Sequence, residues 1–218
     1  MSEQSAVSKN LNRILKIING REVRIVAVTK YYDSSKIKEA YCAGLRDFAE
    51  SRALEAVEKI SKLDDEIKSK STYHFIGHLQ TNKVKHVVGN FEYIHSVDTL
   101  KVAREIAKYA AEKNIVQKIL IQVNNASEES KFGIAPSQLD SLIKEITKFD
   151  SLEIEGLMNI APLLNDGKEL GRLFSQMREL KERYGFRELS MGMSNDFKIA
   201  LDEGATMIRL GRILFENS

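Results

Sequence analysis

Eight times along this chain, a short run rich in β-branched or aromatic residues is followed by a stretch with helical spacing. Alternating strand and helix units assemble into a parallel sheet, so this repetition constrains the fold more than any other feature. The runs are Val23–Lys30, Asp47–Glu50, Tyr73–Gly77, Tyr93–Val97, Lys118–Asn124, Leu152–Ile160, Glu188–Gly192 and Thr206–Arg212. Eight such units in 218 residues predict an α/β fold closed into a (β/α)8 TIM barrel. An open doubly wound sheet is the alternative.

Between the runs the breaks carry helix signals. Asp33 or Ser34 can cap the first crossover helix, Asp98 can cap a helix over Thr99–Lys113, and Pro136 suits a first helical turn. A long charged helix is expected from Arg52, another from Gln80, and further helices over Lys168–Arg183 and Asp196–Glu203. Before the first run, Leu11, Ile14, Leu15 and Ile18 mark an extra N-terminal helix, stopped at Asn19-Gly20. That helix is expected to cover one end of the barrel. No linker-like or low-complexity tract interrupts residues 1–218, which read as one domain.

Charge and composition exclude several classes. Lys and Arg total 33 against 31 Asp and Glu, and the signs are interspersed, so no field for nucleic acid arises. No apolar run reaches the roughly 18 residues of a membrane span, and the N-terminus lacks a secretory pattern. A cytoplasmic protein is expected. Cys42 is the only cysteine and reads as a small helix residue. His74, His78 and His86 lack metal-ligand spacing, and His95 reads as a satisfied core residue.

In such a barrel the chemistry sits at the carboxyl ends of the strands. The first run ends in Lys30, on the same side as Val26 and Val28. An amine that continues an apolar row loses solvation, and a neutral amine attacks aldehydes. The eighth run carries Arg209 between Ile208 and Leu210, followed by Gly211. The seventh ends in Ser190-Met191-Gly192-Met193-Ser194-Asn195-Asp196, a small, hydroxyl-rich turn suited to phosphate or to helix capping by Ser194 or Asn195. A polar loop from Asn124 to Lys131 lies at the same mouth. An aldehyde bearing a phosphate and a ring nitrogen fits these groups, as in pyridoxal 5′-phosphate. A Schiff-base aldolase for phosphosugars satisfies the lysine and the phosphate cup equally.

Five segments carry a family resemblance: VAVTK (Val26–Lys30), HFIGHLQTNKVK (His74–Lys85), ESKFGI (Glu129–Ile134), EGLMNI (Glu155–Ile160) and LSMGMSNDFKIALDEGATMIRLG (Leu189–Gly211). In these the chain resembles the pyridoxal phosphate homeostasis proteins, which are similar to the N-terminal barrel domain of alanine racemase. The resemblance implies pyridoxal 5′-phosphate as cofactor, held as a Schiff base on Lys30. It implies phosphate contacts from Ser190 and from the backbone of Gly211 and Arg212. It places Arg209 at the pyridine nitrogen and counts Met158 among the cofactor-binding residues. The chain departs from the family at Ala49-Glu50-Ser51, where Gly-Glu-Asn is usual, and after Phe215, where Glu216-Asn217-Ser218 follows.

A racemase needs a proton donor or acceptor on both faces of its substrate, and Lys30 serves only one. Tyr31 and Tyr32 are near it in sequence, with no direction known. The expected function is therefore a non-catalytic carrier in intracellular cofactor homeostasis, monomeric, with apoenzymes as possible recipients and no nucleic-acid or membrane partner. A racemase or decarboxylase is the alternative.

Overall fold

Every strand pairs in parallel with its sequence neighbours, and the last returns to the first, in a computed structural model that describes residues 5–126, 132–162, 164 and 166–216. The strands are β1 (Arg24–Val28), β2 (Asp47–Glu50), β3 (Thr72–Phe75), β4 (Tyr93–Val97), β5 (Gln117–Gln122), β6 (Leu152–Met158), β7 (Glu188–Ser190) and β8 (Met207–Leu210). The open-sheet alternative is thereby excluded, because β1 and β8 are in register from Arg24–Met207 to Ala27–Leu210.

Strand alternation divides the core. Outward residues such as Phe48, Phe75, Ile119 and Ile208 pack under the helices. Inward residues form a second cluster of Val26, Ala49, Tyr93, Leu120, Met158 and Met207. The barrel interior is not wholly apolar, since His74, His95, Ser190 and Arg209 are also buried.

The N-terminal helix α1 (Ala6–Ile18) is capped by Ser5 and buries Val7, Leu11, Ile14 and Ile18. It packs against α2 (Ser34–Cys42) and α10 (Arg212–Phe215), and Asn10 Nδ2 donates to the carbonyls of Leu214 and Glu216. The expectation of a lid over one barrel end is corrected. The helix after β8 is a single turn, so α1 supplies the helical cover beside β8 and β1. Asp33 does cap α2, by accepting from Ser35 N. Cys42 closes α2 and is exposed.

The predicted long helix after Arg52 is two helices, α3 (Ala53–Ser61) and α4 (Asp65–Ser69), because the chain turns to bury Leu63 and Ile67. The segment after Gln80 is a 3₁₀ turn (Thr81–Lys83) joined to α5 (Val84–Val87). Thr99, not Asp98, caps α6 (Leu100–Glu112) by accepting from Val102 N. Pro136 opens a 3₁₀ turn before α7 (Leu139–Ile146). α8 (Gly167–Tyr184) is capped by Asp166, and α9 (Phe197–Asp202) precedes β8. No helix among the described residues is long and apolar enough to cross a membrane.

Candidate functional site

A cavity of about 500 Å³ opens among the residues that follow β1, β3, β7 and β8. These are carboxyl ends of strands, where barrels of this type place their chemistry. The volume lies in the ~300–1,000 Å³ range of small-molecule sites. Residues from the expected list that line it are Lys30, Arg209, Gly211 and Arg212.

Lys30 reaches the cavity because β1 alternates. Val26 points into the barrel, Val28 lines the cavity floor and Lys30 follows on the same face. The side chain is half-buried, with Nζ 4.9 Å from the centre of the exposed Tyr31 ring. Among the described residues no carboxylate pairs with it. Its backbone is anchored from behind. Thr29 N donates to Ala49 O at 3.0 Å, and Thr29 Oγ1 donates to Glu50 Oε1 at 2.7 Å. Lys59 Nζ donates to Thr29 O at 2.8 Å and to Glu50 Oε1 at 2.7 Å.

Arg209 is held across the cavity by two bonds, Nη1 to Ser190 Oγ and Nη2 to Asn159 O, both 2.7 Å. Guanidinium has five N–H donors, so three remain uncommitted among the described residues. Burial pulls its pKa down to about 10, with Asp196 opposing, so it stays cationic at neutral pH. Asp196 also lines the cavity. Burial raises its carboxyl pKa, opposed by the Met193 backbone N–H and by Arg209.

The turn after β7 needs glycine. Gly192 has φ +87°, and a Cβ there would lie 2.6 Å from Ala200 Cβ. Beyond it, Ser194 and Asn195 line the cavity and do not cap α9, whose N-terminal residue is preceded by Asp196. The backbone N–H groups of Ser194, Asn195, Gly211 and Arg212 have no protein acceptor among the described residues. Four such donors at one cavity suit an anion with several oxygens.

Two of the expected contact residues, Ser190 and Met158, are not among those lining the cavity. Ser190 shares the inward face of β7 with Glu188, is fully buried, and does not line the cavity. Its oxygen accepts from Arg209, and its hydroxyl lies 3.1 Å from His95 Nδ1. Ser190 accepts from Arg209 and donates toward His95, which leaves one acceptor lone pair on its oxygen. Met158 is fully buried in the inner cluster, against which the cavity residues Val28 and Ile76 pack, so it lies beneath the floor. Of the expected polar loop, residues 127–131 lie outside the described residues. Asn125 Nδ2 bonds Leu173 O at 2.7 Å, and Phe132 stacks on His78 with ring centres 3.7 Å apart.

His95 is a satisfied core residue, and His74 joins it. His74 Nδ1 lies 2.9 Å from His95 Nε2, and His74 Nε2 lies 3.0 Å from Asp47 Oδ1. Burial pushes both imidazoles below their ordinary value. At His74 the Asp47 contact opposes this, while at His95 the charges of His74 and Arg209 add to it. In the unfolded chain each would take up a proton near pH ~6.5. The unfolded state then binds more protons, so stability rises with pH through the window below ~6.5 and falls on acidification. The limiting slope for one such histidine is about 1.4 kcal/mol per pH unit, between its folded and unfolded midpoints. Urea midpoints at pH 5.5 and 7.5 are expected to differ by less in His95→Gln than in wild type. An equal difference would show that His95 does not titrate with folding.

The fold and site define a barrel of the alanine racemase N-terminal domain class. The family model of that description matches residues 3–218. A pyridoxal phosphate homeostasis protein of Aquifex aeolicus is 37% identical over 99% of this chain and 98% of its own length. PipY of Synechococcus elongatus is 35% identical, with TM-scores of 0.88 without and 0.85 with pyridoxal phosphate bound, over 96% of this chain and 99% of that one. The chain belongs to the pyridoxal phosphate homeostasis protein family.

Proposed function

We propose that this chain binds pyridoxal 5′-phosphate in the mouth cavity, holds it as a Schiff base on Lys30, and stores and delivers it in cofactor homeostasis. One observation carries the reading. A single cavity brings together a buried guanidinium with an amine that has no ion-pair partner and four backbone N–H groups that have no acceptor among the described residues. The residues fit the group. Lys30 answers the aldehyde, and Arg209 faces the ring nitrogen. Ser194, Asn195, Gly211 and Arg212 take the phosphate, with the Ser194 hydroxyl replacing that of Ser190. Bound pyridoxal phosphate supplies an aldehyde that condenses reversibly with amines and a ring that withdraws electrons.

Two features support storage over turnover. Arg209 remains a cation, which disfavours a protonated ring nitrogen and weakens the ring as an electron sink. The second proton carrier is also poorly served. Tyr32 packs on Phe215 at 4.8 Å between ring centres, and burial, with Glu216, raises its hydroxyl pKa, while Tyr31 is 78% exposed. Tyr32 is therefore not tuned as a base near neutral pH.

Borohydride reduction of the loaded protein, followed by peptide mapping, is expected to place the label on Lys30. Loaded protein is also expected to reactivate a pyridoxal-phosphate-dependent apoenzyme faster than the cofactor leaves for solution. Sustained loss of optical rotation from L- or D-alanine would overturn the storage reading in favour of a racemase.

A further inference from the structure

The barrel axis contains a continuous polar chain that the cofactor contacts do not require. It runs from Asp47 on β2 through His74 on β3, His95 on β4 and Ser190 on β7 to Arg209 on β8. The two histidines and the serine are fully buried and Arg209 is 4% exposed. Each link is between 2.7 and 3.1 Å. Buried polar groups elsewhere in a barrel interior are costly unless satisfied, and here every ring nitrogen has a partner.

The chemistry at its two ends gives the chain a direction. Guanidinium only donates, so Ser190 Oγ must accept from Arg209. The serine proton is then free for His95 Nδ1, which as an acceptor leaves the His95 proton on Nε2. That proton goes to His74 Nδ1, and the His74 proton on Nε2 goes to Asp47. The opposite tautomers would set a bare His74 Nε2 against a carboxylate oxygen, two acceptors 3.0 Å apart. All four hydrogens therefore point from the mouth toward Asp47, and each bond polarises the next.

We propose that Asp47, His74, His95 and Ser190 form a one-way relay that fixes Arg209 as a donor toward the ring nitrogen of a bound pyridoxal phosphate, making His95 a positioning residue that never touches the cofactor. The proposal rests on the assignment of Arg209 to that nitrogen. Ser190 sets the guanidinium plane through Nη1, and donating its proton to His95 fixes the hydroxyl rotor so that a lone pair faces Arg209. Burial keeps both imidazoles neutral, the state the relay needs. The other polar groups facing it do not interrupt it. Tyr93 on β4 stacks on His74, with ring centres 4.9 Å apart. Arg24 on β1 pairs with Glu188 on β7 and with Tyr93, and Thr206 donates to Glu188.

The test uses loaded full-length protein. Its visible absorbance is titrated from pH ~5.5 to ~9, a span that brackets imidazole titration, and the rate of cofactor release is measured. His95→Leu is expected to move the absorbance midpoint by about one pH unit and to speed release about tenfold, because the Ser190 hydroxyl loses its acceptor and Arg209 its fixed plane. His95→Gln, whose amide both accepts and donates, is expected to stay within about twofold of wild type. If the leucine variant does not fold, Ser190→Ala decides, since it cuts the same chain and is expected to give the same shift. Ser190→Ala is expected to leave competition by inorganic phosphate unchanged, because Ser194 and the backbone hold that group. Leucine or alanine variants indistinguishable from wild type, or a glutamine variant as impaired as leucine, would overturn the relay. A wild-type protein with no visible band would instead refute the cofactor assignment itself.

Discussion

Lys30→Ala is expected to abolish the visible band of the loaded protein and to leave no borohydride-fixed label. The expected loss of cofactor retention is about 100-fold or more, because reversible covalent attachment is replaced by contacts alone. Those contacts remain. Arg209 keeps its bonds to Ser190 and Asn159, and the N–H groups of Ser194, Asn195, Gly211 and Arg212 are untouched. Weak binding of pyridoxal phosphate, displaced by inorganic phosphate, should therefore survive. Lys30→Arg separates charge from nucleophilicity. It preserves the cation but offers no attacking amine, since guanidinium does not deprotonate in proteins. It should match alanine in the borohydride assay. Lys30 is half-buried and its amine is unpaired among the described residues, so folding should change by only about 0.5 kcal/mol. A label that persists in both variants would move the attachment to another amine and remove Lys30 from the site.

The barrel was legible because its signal is local. Buried parallel strands demand β-branched runs, and eight of them repeat with helical stretches between. Ends were less legible. β6 and β7 stop two residues early, where the chain leaves the ladder to build the mouth at Asn159 and Met191. At Lys30 the alternation rule placed the side chain correctly. Applied to Glu188 and Ser190, the same rule turns Ser190 inward, toward Arg209 and His95. The Asp47–His74–His95 chain was out of reach, since its members come from separate strands and meet only when the barrel closes. His95 and Ser190 are 95 positions apart. Lys59 gave no signal at all. In sequence it is one lysine on a charged helix, and in the fold it is 14% exposed beneath the loop that carries Lys30.

Lys59→Met is accordingly expected to be among the most destabilising single changes outside the core. Lys59 and Glu50 form an ion pair at 2.7 Å with side chains 14% and 3% exposed. Removing one partner of a buried pair strands the other, at a cost of about 3–5 kcal/mol. Here the stranded group is the Glu50 carboxylate, with Thr29 Oγ1 as its remaining side-chain donor. The carbonyl of Thr29 also loses the Lys59 donor, and that peptide leads directly into Lys30. Glu50→Gln combined with Lys59→Met removes both charges and keeps an acceptor for Thr29. It is expected to recover most of the loss, leaving a deficit of about 1 kcal/mol. Chemical denaturation of the two single variants and the double gives the coupling energy directly. A negligible coupling would make the pair a surface contact in its energetics. A double variant that regains stability but still labels slowly at Lys30 would show that the Lys59 bond to Thr29 O, separately from the charge pair, sets where the amine sits.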